Sequence, residues 1–222
     1  MSVGGRNPFE APERAALDQV FALPAAVRAA VESGARCLQF VGACGQGKTT
    51  HLLALAAWLS ARGEAAAYDL IGLDGAAQRP VRGWWLVDES QRWSRARLRA
   101  EVGGALAGGL RVALGTHRSH RRALTGVVAV ESFWLRALDE QAMRHLLGRY
   151  LAAAGREPDA LGLSPAGARR LNRACRGRVE WILRTAYELC EDGAPPAGEA
   201  QVDAALRRLR RDAPTLFARE AR

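Results

Sequence analysis

Eight consecutive residues, Gly42-Ala43-Cys44-Gly45-Gln46-Gly47-Lys48-Thr49, fill every fixed position of the pattern GxxxxGK(S/T). Glycines at these positions let successive backbone N–H groups turn inward around an anion, and a following helix adds its positive N-terminal end. The chemistry implied is capture of the phosphates of a nucleoside triphosphate, here ATP. Gly42, Ala43, Cys44, Gly45, Gln46 and Gly47 form the cradle, and Thr50 extends it into the helix. Lys48 bridges the β- and γ-phosphates, and Thr49 offers its hydroxyl to Mg²⁺. Lys48 is the only lysine among 32 basic residues, all the others being arginine. A compact ammonium fits a crowded phosphate site in a way that a planar guanidinium does not, which marks position 48 as chemically constrained.

A second group begins about 40 residues later. Trp84-Trp85-Leu86-Val87 is an apolar run ending in Asp88-Glu89, the form of a strand that delivers two acids to a phosphate site. Asp88 is expected to hold Mg²⁺ through water, and Glu89 to polarise the attacking water. Another apolar run ends at Leu114-Gly115-Thr116-His117, so Thr116 is a candidate to reach the γ-phosphate or the water, with His117 its rival and a plain strand-end cap the alternative. Arg118, Arg121 and Arg122 follow on a short helical stretch. They are either a solvated basic face or the source of a transition-state arginine, Arg121 or Arg122, offered to a neighbouring subunit.

The elements that must carry these residues follow from periodicity. Cys37 to Val41 has the length of a buried strand, and it runs through the glycine loop into an apolar helix from about Lys48 to Ala61. Ala65–Ile71, Trp84–Val87, Val112–Leu114 and Val127–Val130 read as four further strands, with a helix over about Ser94–Ala107 and a loop from Ile71 to Gly83. Strands alternating with helices imply a parallel sheet covered on both faces. The lead-in before it reads as a short amphipathic helix using Leu17, Val20, Phe21, Leu23 and Val27 and ending at Gly34.

From Asp139 the strand signals stop. Four helices are expected over Asp139–Ala154, Ser164–Cys175, Val179–Glu191 and Glu199–Arg211, with Ser164 as N-cap before Pro165 and glycines 155, 177 and 193 as punctuation. The expected architecture is thus an α/β domain over residues 1–138, with a lead-in over 1–36, followed by a small all-α lid over 139–222.

Composition narrows the setting. With 222 residues, 49% hydrophobic and 25% charged, the chain can bury a sizeable core. Its longest apolar stretch, Leu52 to Leu59, falls short of the roughly 20 residues a membrane-spanning helix needs. An N-terminus without an apolar signal segment points to the cytoplasm. Cys37, Cys44, Cys175 and Cys190 show no metal-ligand or redox spacing and read as reduced, buried fillers. The tryptophans read mostly as packing. A formal net charge of +9 admits duplex DNA as a partner, with Arg207, Arg208, Arg210 and Arg211 as the contact, or a merely solvated basic surface.

With these residues in place, the chain resembles the AAA+ ATPases over nearly its whole length: phosphate loop, acidic strand end, polar fourth-strand end, helical lid. Asp88-Glu89-Ser90-Gln91 followed by Trp93 is similar to a signature of TniB-type transposition ATPases and ExeA-type secretion ATPases. So are Gly115-Thr116 with Leu124, the stretch Leu135-Arg136-Ala137-Leu138-Asp139-Glu140, and the early Asn7-Pro8-Phe9, which those families place near the adenine. The resemblance implies a P-loop NTPase with a five-stranded parallel sheet and a helical lid. It also implies a Mg²⁺-dependent ATPase that forms a homo-oligomer in the ATP state, on DNA, and acts on a protein partner. The rivals are a protein-remodelling ATPase without DNA and a low-turnover switch. Two departures stand out. Glu180 occupies the place where a lid arginine is expected, so either Arg178 substitutes or the lid does not touch nucleotide. An arginine expected just before Leu135 is missing, which leaves Arg121 or Arg122 as the finger.

Overall fold

The structure is a computed structural model that describes Phe9, residues 20–191 and residues 197–212. The chain divides into two compact units, one from Arg14 to Arg136 and one from Ala137 onward together with Phe9.

The first unit is built on helix α1 (Ala25–Glu32), strand β1 (Cys37–Val41), helix α2 (Lys48–Ala61), strands β2 (Ala66–Leu70) and β3 (Trp84–Asp88), helix α3 (Arg95–Ala107), strand β4 (Arg111–Thr116), the single turn α4 (Arg121–Leu124) and strand β5 (Glu131–Trp134). The five strands form one parallel sheet in the order β2-β3-β4-β1-β5. β1 and β3 are buried at every position and β4 at all but its first, whereas the edge strands β2 and β5 contain no fully buried residue. This explains the pattern in the sequence: strands covered on both faces read as continuous apolar runs, while edge strands do not. Alternation splits the core between the faces. Trp85 and Val87 pack with Trp93, Leu98 and Val102 on one side.

The fifth strand departs from expectation. Val127–Val130 is not a strand: the Val127 and Val128 N–H groups donate to Leu124 O at 2.9 and 3.2 Å, continuing the turn after α4. Val130 fills the core, and the paired segment is Glu131–Trp134. An edge strand is selected by its backbone pairing, here with β1, so apolar density pointed to the core-filling turn in its place. The lead-in departs as well. Val20 is helical, but Phe21–Pro24 are not, and a second helix starts after Pro24, because proline fits the start of a helix and not its interior. Leu17 lies outside the described residues, as do Asn7, Pro8 and Gly193.

The second unit holds helices α5 (Glu140–Ala153), α6 (Pro165–Cys175), α7 (Val179–Glu191) and α8 (Glu199–Asp212). Asp139 and Ser164 cap α5 and α6 by accepting from Ala142 N and Gly167 N. Arg144 of α5 donates to Leu163 O and Ser164 O, and Arg170 of α6 pairs with Asp203 of α8 at 2.7 Å. Phe9 stacks on Tyr150 with ring centroids 6.0 Å apart. No helix among the described residues is long and apolar enough to cross a membrane.

One glycine shows how tightly the sheet edge is built. Gly83 sits at φ +86° immediately before β3, where an added Cβ would run into the carbonyl of Ala65, and that same carbonyl accepts the Trp84 N–H at 2.8 Å. Gly83→Ala therefore combines a left-handed backbone with a clash against backbone atoms. The variant is expected to lose on the order of 1–3 kcal/mol of stability, read as a lower midpoint in denaturant unfolding. A midpoint equal to wild type would show that the β2–β3 edge relaxes freely.

Candidate functional site

The site lies at the carboxyl ends of β1, β3 and β4, where open parallel sheets bind ligands. Residues 42–47 leave β1, and Gly45 and Gly47 take φ +76° and +84° so that the loop can wrap before α2 begins at Lys48. Two bonds hold its base: Gly42 N–H to Thr116 O at 3.1 Å, and Leu135 N–H to Val41 O at 2.8 Å. Gly42 is closely packed: a Cβ would displace Gln46 Oε1, 2.7 Å away, and press on Leu135 Cβ at 3.0 Å. Gln46 Oε1 accepts the Ala43 N–H at 2.6 Å, which places an oxygen acceptor on a loop amide. Lys48 is buried, and its Nζ donates to Gly42 O and Ala43 O at 3.1 and 3.0 Å. The cation therefore lies against the loop itself. Cys44 is exposed, which departs from the reading of the cysteines as buried fillers.

The acids arrive from β3. Asp88 is buried and accepts Thr49 Oγ1–H at 2.5 Å on Oδ2, across 39 residues of sequence. Tyr68 Oη donates to the same oxygen at 3.1 Å, and Glu89 N–H donates to Oδ1 at 2.9 Å. Gly115 makes space for this carboxylate, because a Cβ there would meet Asp88 Oδ1 and Leu52. A hydroxyl beside a carboxylate is a set of hard oxygen donors of the kind that suits Mg²⁺.

Glu89 follows in a left-handed conformation, φ 59°, unusual for a residue with a side chain. Its carboxylate accepts from Gln91 Nε2 at 2.9 Å and lies 3.4 Å from Arg92 and 3.9 Å from His117 Nε2. Gln91 Oε1 in turn accepts His117 N–H at 3.3 Å. The imidazole of His117 is held below its usual pKa, first by burial and then by the charge of Lys48, against the opposing pull of Glu89 and Asp88. Thr116 behaves differently. Its buried hydroxyl donates to Arg118 O at 2.9 Å and accepts Arg118 N–H at 3.3 Å, the geometry of a strand-end cap.

The remaining candidates lie on other elements. Arg121 and Arg122 are exposed on α4 and line an open hollow with Thr125 to Glu131. Arg178 opens α7 in the second unit, where its N–H donates to Cys175 O and its carbonyl accepts Ile182 N–H. Glu180 pairs with Arg184 at 3.0 Å. Trp134 is 63% exposed, against the packing role expected of most tryptophans.

Tyr68 and Arg92 were not picked out from the sequence, and Gln91 and Gly115 entered only as parts of motifs, without the contacts to Glu89 and His117 or the space-making role that the fold gives them. A lone tyrosine in an alanine-rich strand is the one available signal for Tyr68, and its meaning depends on β2 lying beside β3. Gly115→Ala is expected to displace Asp88 from Thr49 and lower affinity for Mg²⁺–ATP at least tenfold with the fold retained, as read by calorimetric titration beside circular dichroism. Wild-type affinity in that variant would remove the spatial argument.

No protein-family model matches the chain, and no curated protein is similar to it in sequence. Solved structures do match. A single-residue mutant of Thermotoga maritima RuvB superposes with a TM-score of 0.62 at 16% identity, covering 83% of this chain and 66% of that one. A second RuvB mutant gives 0.61 at 16% identity over 91% and 72%. Domain III of the Thermotoga maritima replication initiation protein DnaA gives 0.60 at 13% identity over 86% and 96%. The chain thus spans about two thirds of the length of the RuvB chains it matches first. With its five parallel strands, its flanking helices and a glycine loop joining β1 to α2, the chain has the AAA+ P-loop NTPase fold.

Proposed function

We propose that the protein binds ATP with Mg²⁺ on the loop from Gly42 to Thr49 and hydrolyses it, working as a homo-oligomer. The observation that carries this reading is the 2.5 Å bond between Thr49 Oγ1 and Asp88 Oδ2, which joins the phosphate loop to the acidic strand end. Thr49 and Asp88 hold Mg²⁺, which when bound neutralises phosphate charge. Lys48 pairs with the β- and γ-phosphates, and the loop amides with Thr50 complete the cradle. Glu89 polarises the attacking water. His117 takes the role beside the γ-phosphate for which Thr116 was the first candidate, because the Thr116 hydroxyl is engaged by the turn it caps. Arg121 or Arg122 reaches the γ-phosphate of a neighbouring subunit, and Arg178 is the lid's candidate for nucleotide.

On this reading the ATP-bound assembly acts on DNA in the manner of the TniB-type ATPases. The net charge of +9 and the likeness to a domain of a replication initiation protein support DNA as the partner. The expected contact on α8 is less available than its sequence suggests, since Arg208 pairs with Glu188 and Arg211 with Asp212. A protein-only remodeller is the second reading. It is favoured by Leu73 and Val81, each 95% exposed on the loop after β2 that Trp93 Nε1 and Asp69 anchor through Gly75 O and Gln78 N.

Lys48→Ala is expected to abolish ATP binding, because it removes the ammonium from a loop built for a polyanion, and unchanged affinity for labelled ATP would sink the phosphate-loop reading. Glu89→Gln should keep ATP affinity while lowering turnover by on the order of 10² or more, the scale of a lost general base. Normal turnover there would take Glu89 out of the mechanism. Duplex DNA retention should require ATP and fall steeply with salt, with a log–log slope near −0.9 per phosphate neutralised. A flat salt response would favour the protein-only reading.

A further inference from the structure

Gln39, Ser90 and His120 are buried polar side chains, linked by hydrogen bonds that run from β1 to the residue after Glu89 and to the start of α4. Polar groups in such a place rigidify a structure only when each is satisfied, and an apolar set would pack there at less cost. Their bonds form a connected path. Gln39, in the middle of β1, donates through Nε2 to Ser119 Oγ at 2.9 Å and Ser132 Oγ at 2.7 Å, and its Oε1 accepts His120 N–H at 2.8 Å. The Nε2 of His120 lies 3.1 Å from Ser90 Oγ, and Ser90 Oγ donates to Gly115 O at 2.9 Å. That donation uses the single hydroxyl proton of Ser90, so Ser90 Oγ accepts from His120 Nε2–H. Burial and the charge of Arg118 push the His120 pKa down to about 4, which keeps this neutral form across the physiological range.

The two ends of the path are functionally distinct. Ser90 is the residue after Glu89. His120 is the N-cap of α4, whose one turn carries Arg121 and Arg122. A helix of four residues has too few internal bonds to hold itself, so its direction comes from its attachments. Those at its start are Gln39 to the His120 N–H and Ser119 Oγ to the Arg121 N–H at 3.3 Å. Those at its end come from α3, with Arg95 donating to Arg122 O and Arg99 to Ala123 O and Thr125 O.

We infer that Gln39, Ser90 and His120 are positioning residues that aim the arginine-bearing turn α4 at a neighbouring subunit's nucleotide, referencing it to the strand end that carries the chain's own Glu89. The inference rests on the reading of Arg121 or Arg122 as the trans arginine and adds what places it. On this inference His120 acts on turnover through the direction it gives α4. Its loss therefore produces a chain that is defective as a donor of arginine and intact as an acceptor.

The test uses His120→Met, which keeps volume and removes the Nε2–H donor, and His120→Gln, which returns an N–H donor at the end of a side chain of similar length. Turnover at saturating ATP, KM, ATP affinity and thermal unfolding are measured for each beside Arg121→Ala/Arg122→Ala. His120→Met should lose roughly tenfold or more in kcat with KM and ATP affinity within about twofold, against on the order of 10³ for full loss of such an arginine. His120→Gln should recover most of the loss. Mixing His120→Met with excess Glu89→Gln should restore turnover to the His120→Met sites, because each then receives a well-placed arginine from a neighbour that cannot hydrolyse. If His120→Met does not fold, Ser90→Ala, which removes the same bond from the other side, carries the same mixing test. Absence of rescue in the mixture, or a loss confined to ATP affinity, overturns the inference while leaving the arginine reading standing. Normal turnover in Arg121→Ala/Arg122→Ala overturns that reading and the inference together. Normal turnover in His120→Met beside a defective arginine variant overturns the inference alone.

Discussion

The bond from Thr49 Oγ1 to Asp88 Oδ2 exists only because β1, β3 and β4 end at one edge of the sheet. In a parallel sheet all the carboxyl ends face the same way, so the loop leaving β1, the acids ending β3 and the polar residues ending β4 are gathered without any local sequence relation. Much else serves that alignment. Gly115 lacks a side chain so that the Asp88 carboxylate can lie over β4, and Gly42 N–H bonds Thr116 O so that the loop starts level with β4. Tyr68 adds a donor from β2, which is possible because β2 runs beside β3 in register, Tyr68 opposite Leu86.

The same edge separates two kinds of polar contact. Around Lys48, Thr49 and Asp88 the bonds are ones that a triphosphate and a cation can replace, since they join groups of complementary charge to small dipoles of the loop. Around Gln39, Ser90 and His120 they are buried and mutually satisfied, and they bear on the backbone of α4. The first set fits exchange with a ligand, and the second fits holding direction. Glu89 stands between them. Its left-handed backbone is a costly state that persists because Asp88 Oδ1 fixes its N–H while Gln91 and Arg92 hold its carboxylate.

The helical unit is stabilised by other means. Its faces bury Leu147, Leu171, Ile182 and Leu206, and its caps at Asp139 and Ser164 satisfy N–H groups that would otherwise lack partners. The Arg170–Asp203 and Arg208–Glu188 pairs tie α8 to α6 and α7 across half-buried surface. Arginine in this unit is partly structural, which reduces how much of the chain's positive charge is available to a polyanion.

What the sequence determined on its own follows from short-range physics. The glycine loop, the lone lysine, the strands read at 37–41 and 84–87, the helix 48–61, the Ser164 cap and the four late helices all rest on local spacing, steric freedom or side-chain chemistry, and each is present to within a residue of its expected bounds. What the tertiary structure decided depends on partners distant in sequence. The fifth strand lies at 131–134 because pairing with β1, not apolar density, makes an edge strand. The turn after β4 takes up the Thr116 hydroxyl, and only folded proximity brings His117 within 3.9 Å of the Glu89 carboxylate. Tyr68, Gln39 and His120 look like ordinary strand and loop residues in the sequence. Their partners are 20 residues away for Tyr68, 80, 81 and 93 for Gln39, and 30 for the His120 ring, and a hydrogen bond acts over a few ångströms of space whatever the length of chain between its ends.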